Sequence, residues 1–158
     1  MPANLNDPFG PNREDLAWAA GIFDGEGTLG FYHYRRNRHE VTVGIVNTDP
    51  RVHAWLREKF GCGSVRPSTK NRNNHVAYSW RIAGRTRVEP FLNAILPYLI
   101  IKKEQAQCLL DLWSKELTPK MRITDDVFAQ RSQVEAELKH LKRAFLEEVD
   151  PDKEYKWL

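Results

Sequence analysis

The chain has 158 residues, enough for one sizeable core, and its 41% hydrophobic and 11% aromatic content excludes a disordered polymer. No apolar run approaches the roughly 20 residues of a membrane span, and no basic stretch followed by an apolar one opens the chain. A membrane partner and a secretion signal are therefore not expected. The net charge of +3 is unevenly spread: residues 28–87 hold twelve Lys or Arg, ten of them Arg, against three acids, giving +9, while the remainder holds twelve bases and eighteen acids, giving −6. A basic centre between acidic flanks suits a polyanion, and arginine's planar fork matches phosphate and guanine edges. Taken alone, such an excess also fits a solvated basic face. The two cysteines, Cys62 and Cys108, make no disulfide framework and fit reduced thiols in an intracellular setting. The five histidines lack zinc-ligand spacing.

Taken in order, Asn12 caps a helix with acids in its first turn, which runs to about Asp24 and stops at Gly25-Glu26-Gly27. Two alternating runs follow. In 28–36, Leu29, Phe31 and His33 alternate with Gly30, Tyr32 and Tyr34; in 40–48, Val41, Val43 and Ile45 alternate with Thr42, Gly44 and Val46. The polar link Asn37-Arg38-His39 makes them a hairpin. Asp49 and Pro50 open a second helix to about Phe60, with Val52, Trp55, Leu56 and Phe60 as its apolar stripe. A short strand is predicted over 64–68, a polar turn over 69–74, and a strand over 75–83 with Val76, Tyr78, Trp80 and Ile82 on one face. A helix over 87–96, a break at Pro97 and a helix over 102–117 come next. After Thr118-Pro119, a long amphipathic helix over 125–148 carries Phe128, Val134, Leu138, Leu141, Phe145 and Val149 as its stripe.

Strands of this pattern pack one face on helices and leave the other free. The free face carries Tyr32, Tyr34, Arg36, Arg38, Thr42, Arg66, Ser68, Ser79 and Arg81. Arginines, tyrosines and small hydroxyls spread over an open sheet are the side chains that read base edges in a major groove. Trp18, Trp55 and Trp80 are expected in the core. The first helix is apolar all round, so it needs cover on every side. Its small face of Ala17, Ala20, Gly21 and Asp24 suits close approach of a second helix, and the economical partner is the same helix of a second copy. Packing against the chain's own C-terminal helices is the competing explanation.

The residues Ala19-Ala20-Gly21-Ile22-Phe23-Asp24-Gly25-Glu26-Gly27 resemble the LAGLIDADG motif, with alanine at its first position and glutamate where aspartate is commoner. The family's downstream pattern follows in order: Ile45-Val46-Asn47-Thr48-Asp49, Gly61-Cys62-Gly63-Ser64-Val65, Tyr78-Ser79-Trp80-Arg81-Ile82, then Leu96-Pro97-Tyr98-Leu99-Ile100-Ile101-Lys102-Lys103 with Gln105-Ala106. The resemblance to single-motif LAGLIDADG homing endonucleases covers about 16–112. It implies an α+β chain, an αββαββα fold with an antiparallel DNA-binding saddle and C-terminal helices. The chain then reads as one domain over 1–158, with a core at about 12–118, a helical extension at about 119–150 and a tail over 151–158.

The resemblance also implies roles. Glu26 and the Gly25 carbonyl would hold Mg²⁺ or another divalent cation. Lys102 would stabilise charge or polarise water, Asn47 would position water, and Arg51 would line the same pocket. Asp24 reads as structural, at the tight helix crossing. The implied activity is cleavage of a long pseudo-palindromic duplex DNA site by a homodimer. The rival functions on this scaffold are an RNA maturase that binds intron RNA and a non-cleaving DNA-binding protein. Retention of both Glu26 and Lys102 argues for cutting. Pro151-Asp152 with Glu154-Tyr155-Lys156 imitates another nuclease pattern, but its acids are too close in sequence for adjacent strands. Lys139, His140, Lys142 and Arg143 read as a solvated basic face on the last helix.

Overall fold

The computed structural model describes residues 10–68, 76–116 and 122–148, with side chains as far as 144 in the last stretch. The turn expected over 69–74, Thr118-Pro119, the Phe145 side chain, Val149 and the tail lie outside it. The order is α1 (Arg13–Glu26), β1 (Gly27–Arg35), β2 (Arg38–Asn47), α2 (Pro50–Phe60), β3 (Ser64–Pro67) and β4 (Tyr78–Ala83). Then come α3 (Arg85–Ile95), a 3-10 turn at Leu96–Tyr98, α4 (Lys103–Lys115) and α5 (Asp125–Glu148). This is the expected αββαββα order followed by two further helices, α4 and α5.

α1 starts where its sequence says it must. The Asn12 side chain accepts from the Asp15 amide at 2.8 Å and the Asp15 carboxylate accepts from the Asn12 amide at 3.1 Å, a reciprocal cap for two otherwise unpaired donors. α2 opens on the expected Asp49 cap and Pro50, and closes at Gly61 with φ 60°. The four strands form one antiparallel sheet in the order β1-β2-β4-β3.

The pleat divides the sheet as its alternation requires. Leu29, Phe31, Val41, Val43, Ile45, Trp80 and Ile82 are buried on the helix side, against Ala19, Ala20 and Phe23 of α1, Leu56 and Phe60 of α2, and Val88, Phe91, Leu92 and Ile95 of α3. Phe91 anchors an aromatic cluster, with ring centroids 5.0 Å from Phe60, 5.5 Å from Trp80 and 5.9 Å from Phe23. Two glycines are fixed by this packing. A Cβ on Gly63 (φ 99°) would stand 2.2 Å from the Trp80 indole nitrogen, which donates to the Cys62 carbonyl at 3.0 Å. A Cβ on Gly27, where α1 turns into β1, would stand 2.2 Å from the Phe23 ring.

Several expectations need correction. α1 does not stop at Asp24 but carries Gly25 and Glu26 in its last turn. The hairpin turn is Arg36-Asn37, so Arg38 and His39 belong to β2. Arg36 sits at φ 50°, and the register shifts between His33 and Arg35. Val76 is 39% exposed and Ala77 is buried instead, because the ladder begins only at Tyr78 and strand alternation does not reach back to residue 76. Trp18 is 44% exposed at the rim between α1 and α2, where its ring meets Trp55 with centroids 4.4 Å apart, while Trp80 is fully buried.

α5 is held by charge as well as by its stripe. The buried Glu116 carboxylate accepts from Arg131 Nε at 2.7 Å and Nη2 at 2.8 Å, and from Arg85 Nη1 at 3.1 Å. Arg85 also pairs with Glu89 at 2.7 Å and donates to the Trp113 carbonyl at 2.9 Å. Nothing in the hydrophobic periodicity announced this network. Removing one partner strands buried charge. Glu116→Ala is expected to destabilise the chain by about 3–5 kcal/mol, the usual cost of breaking a buried pair, read as a lower urea midpoint with unchanged slope.

Candidate functional site

The end of α1 gathers the chemistry. Asp24 is buried, and its carboxylate accepts three backbone N–H groups: Ile100 at 2.7 Å and Ile101 at 3.2 Å on Oδ2, and Lys102 at 2.9 Å on Oδ1. Those bonds hold the segment that leads into α4, so the Lys102 side chain arrives against the C-terminus of α1. There its ammonium donates to the Asp24 carbonyl and lies 5.8 Å from the Phe23 ring centroid. α1 has no basic residue in its own last turn, so Lys102 is the cation that meets its free carbonyls. Burial pushes the Lys102 pKa down, and the nearby Asp24 and Glu26 carboxylates oppose that shift. Glu26 and Gly25 are exposed at the same helix end.

The Glu26 carboxylate and Gly25 carbonyl are hard oxygen donors of the kind Mg²⁺ accepts. The Asp24 oxygens are already taken by three amides. Among the described residues, no three His, Cys, Asp or Glu side chains converge as a metal cluster. The donors fit such a cation, but one chain provides only part of its shell.

Asn47 ends β2 two residues beyond Ile45, the partner of Gly27, so the strand register brings it beside the α1–β1 junction. Its side-chain oxygen accepts from the Asp49 amide at 2.8 Å. Arg51 departs from the expected pocket. Its guanidinium is 89% exposed and forks onto Asp49, with Nε 3.0 Å from both carboxylate oxygens, holding the Asp49 carboxyl down at about 2. As the second residue of its helix, Arg51 stands directly beside the cap carboxylate.

The free sheet face begins where this site ends. Thr28, Gly30, Tyr32 and Tyr34 of β1 stand beside Arg38, Glu40, Thr42 and Gly44 of β2, followed by Ser79 and Arg81 of β4 and Arg66 of β3. Ser68 lies just past the end of β3, and Arg36 lies at the hairpin tip. A cleft of about 760 Å³ is lined by Glu40, Arg66, Ser68, Ser79, Arg81 and Arg87. A second, of about 680 Å³, lies among Tyr34, Arg35, Arg36 and Arg38. A third, of about 540 Å³, joins Lys102 and Gln105 to Lys142 of α5 along Gly27, Thr28 and Leu29.

Sequence reasoning missed Glu40, Arg87, Gln105 and Lys142 at these places. Glu40 shares its parity with Arg38 and Thr42 and was legible from the alternation. Lys142 is not simply solvated, since its ammonium donates to the Leu29 carbonyl. Of the small face on α1, Ala17 and Gly21 are exposed in line with Gly25, whereas Ala20 and Asp24 are buried within the chain. The 3-10 turn and the segment after it pack over that side of α1, which moves the bare strip to 17, 21 and 25. Among the described residues, no atom outside the helix lies within 4 Å of a Cβ built on Gly21 or Gly25.

No family model matches the chain. DNA endonuclease I-CvuI of Chlorella vulgaris is 26% identical over 123 residues, 73% of this chain and 70% of that protein. The crystal structure of I-CvuI with a DNA target superposes with a TM-score of 0.66 at 22% identity, covering 82% of each chain. The archaeal intron-encoded homing endonuclease I-Vdi141I, also complexed with DNA, gives 0.67 at 15% identity over 91% of this chain and 89% of that one. The LAGLIDADG meganuclease I-AabMI gives 0.62 at 15% identity, with 85% of this chain matching 50% of its length. The chain thus shares the fold of LAGLIDADG homing endonucleases, is similar in sequence to one DNA endonuclease, and carries in its Ala19–Gly27 segment an exposed acid, Glu26, near Lys102.

Proposed function

We propose that two copies of this chain form a divalent-metal-dependent, site-specific endonuclease for duplex DNA. The observation that carries the reading is the meeting of Glu26 and Lys102 at the end of α1, where an arginine-rich open sheet begins. Glu26 and the Gly25 carbonyl would hold Mg²⁺ or another divalent cation; Mg²⁺ and Ca²⁺ were each present in crystal structures of I-CvuI with DNA, the DNA being uncleaved in the Mg²⁺ one. Bound there, the ion would acidify water and offset charge on a scissile phosphate. Lys102 adds a preplaced positive charge for the phosphate oxygens, and burial makes it readier to give up its proton than an exposed lysine. The Asn47 carbonyl oxygen is engaged with Asp49, so a water ordered by this side chain meets its amide nitrogen. On the sheet, Tyr32, Tyr34, Arg36, Arg38, Thr42, Arg66, Ser68, Ser79 and Arg81 face the groove and backbone of the duplex. The maturase and non-cleaving alternatives have no feature here that favours them over cutting.

Two copies are needed because each chain contributes one Glu26. The bare strip at Ala17, Gly21 and Gly25 lets another helix approach closely, and Ile101, 66% exposed, adds apolar surface nearby. The chain also matches nearly the full length of I-Vdi141I but half of I-AabMI.

Glu26→Gln is expected to abolish cleavage of a plasmid carrying the selected site while leaving binding near wild type; retained cutting would remove Glu26 from its role. Lys102→Met is expected to slow cutting on the order of 100-fold, the usual loss when one transition-state charge partner goes, with little change in affinity. A Cβ at Gly21 meets nothing within 4 Å among the described residues, so the Gly21→Leu monomer is expected to fold. Sedimentation is expected to show the dimer lost and cutting lost with it, and a dimeric, active Gly21→Leu protein would refute the proposed contact. Arg66→Ala is expected to cost about 1–3 kcal/mol of affinity with relaxed preference at one base pair if it reads a base. A uniform loss across sequences, with a salt slope smaller by about one, would assign it to phosphate instead.

A further inference from the structure

We propose that Glu40 is a specificity-determining residue that accepts a hydrogen bond from the exocyclic amino group of a cytosine in the major groove, and that it holds Tyr32 and Arg81 in position to read beside it. The inference rests on the sheet being a DNA-reading surface. Glu40 lies opposite Tyr32 in the β1–β2 ladder, on the free face, and its side chain lines the basic cleft with Arg66, Ser79, Arg81 and Arg87. A carboxylate there opposes any phosphate that the arginines attract. Its placement needs a reason beyond charge balance, because among the described residues Glu40 forms no ion pair within 4.0 Å.

What it does form is one end of a relay across the sheet. Arg81 Nη2 donates to the Tyr32 hydroxyl at 3.4 Å, and that hydroxyl donates to Glu40 Oε2 at 3.4 Å. The relay joins β4 to β1 and β2 over low ground. Gly44 stands opposite Arg81, and Gly30 is the next position on the β1 face; neither contributes a side chain. A Cβ at Gly30 would stand 2.6 Å from Thr42 Oγ1, so a larger residue there would require the Thr42 hydroxyl to turn away. One long bond from a tyrosine leaves the carboxylate with most of its acceptor capacity, directed to a face whose own side chains are chiefly donors. In the major groove, a bare acceptor pairs with an amino group, and cytosine N4 is the edge that offers only a donor. The same charge turns away guanine and thymine acceptors, so discrimination comes from repulsion as well as attraction.

The test is selection from a randomised duplex library by the full chain, followed by sequencing, for wild type, Glu40→Gln, Glu40→Ala and Tyr32→Phe. Wild type is expected to enrich cytosine at one position. Glu40→Gln is expected to shift that position toward adenine by about tenfold, since glutamine pairs with the adenine edge. Tyr32→Phe is expected to blur this position and the neighbouring one together. Glu40→Ala is expected to lose the preference while binding random-sequence duplex several-fold more tightly than wild type. An enriched site whose every position is unchanged in Glu40→Gln would overturn the role of Glu40 and leave the DNA-reading sheet standing. Failure of the wild-type protein to enrich any duplex would overturn both.

Discussion

A buried carboxylate in a small domain must be matched by donors or it will not stay ionised and buried. Asp24 is matched by three consecutive amides, those of residues 100–102. Hydrogen bonds to a charged acceptor contribute roughly 1.5–3 kcal/mol each, so the clamp outweighs the entropy of ordering a short connecting segment. Its geometric effect exceeds its energetic one. It ties the end of α1 to the start of α4, which are 78 residues apart in sequence. It also fixes Lys102 at the helix terminus where Glu26 emerges. A substitution at residue 24 would disturb this helix end without touching the Glu26 or Lys102 side chain.

The clamp works because the rest of the chain holds α1 rigidly against the sheet. Phe23 packs so closely on the α1–β1 junction that only glycine fits at residue 27. The strand therefore leaves the helix at a fixed angle, and its alternation carries that angle to every residue on the free face. The Phe60, Phe91 and Trp80 cluster does the same for α2, α3 and β4. The Glu26–Lys102 end of α1 and the free sheet face are thus two ends of one packed unit.

Charge is unevenly placed. Within residues 28–87, Arg35, Arg36, Arg38, Arg66 and Arg81 lie on the strands and the hairpin turn, while Arg51, Arg57 and Lys59 lie on α2 and Arg85 and Arg87 on α3; many acids lie on α1, α4 and α5. Some are spent on structure: Glu116 joins α5 to the body of the fold through Arg85 and Arg131, and Glu135 of α5 accepts from the His33 amide at the sheet edge. The helix that extends the domain is anchored by these polar contacts as well as by the buried Leu138.

Much was readable from the residues alone. Period-two runs with Leu29, Phe31, Val41, Val43 and Ile45 gave the strands and their faces, because a pleat admits only two orientations. Asn12, Asp49 and Gly61 marked helix ends because their side chains or φ preferences act locally. The motif placed Glu26 and Lys102 in roles that one-dimensional chemistry could not derive. What local order could not decide was anything set by contacts between distant segments. Whether Ala20 or Ala17 met solvent depended on where the 3-10 turn crossed α1; whether Trp18 was buried depended on how far α2 reached. Whether Glu116 faced Arg131 depended on the docking of α5, and whether Arg51 faced the site depended on a nearer carboxylate. Propensity and periodicity are sums over neighbours in the chain, and these outcomes are settled by neighbours in space.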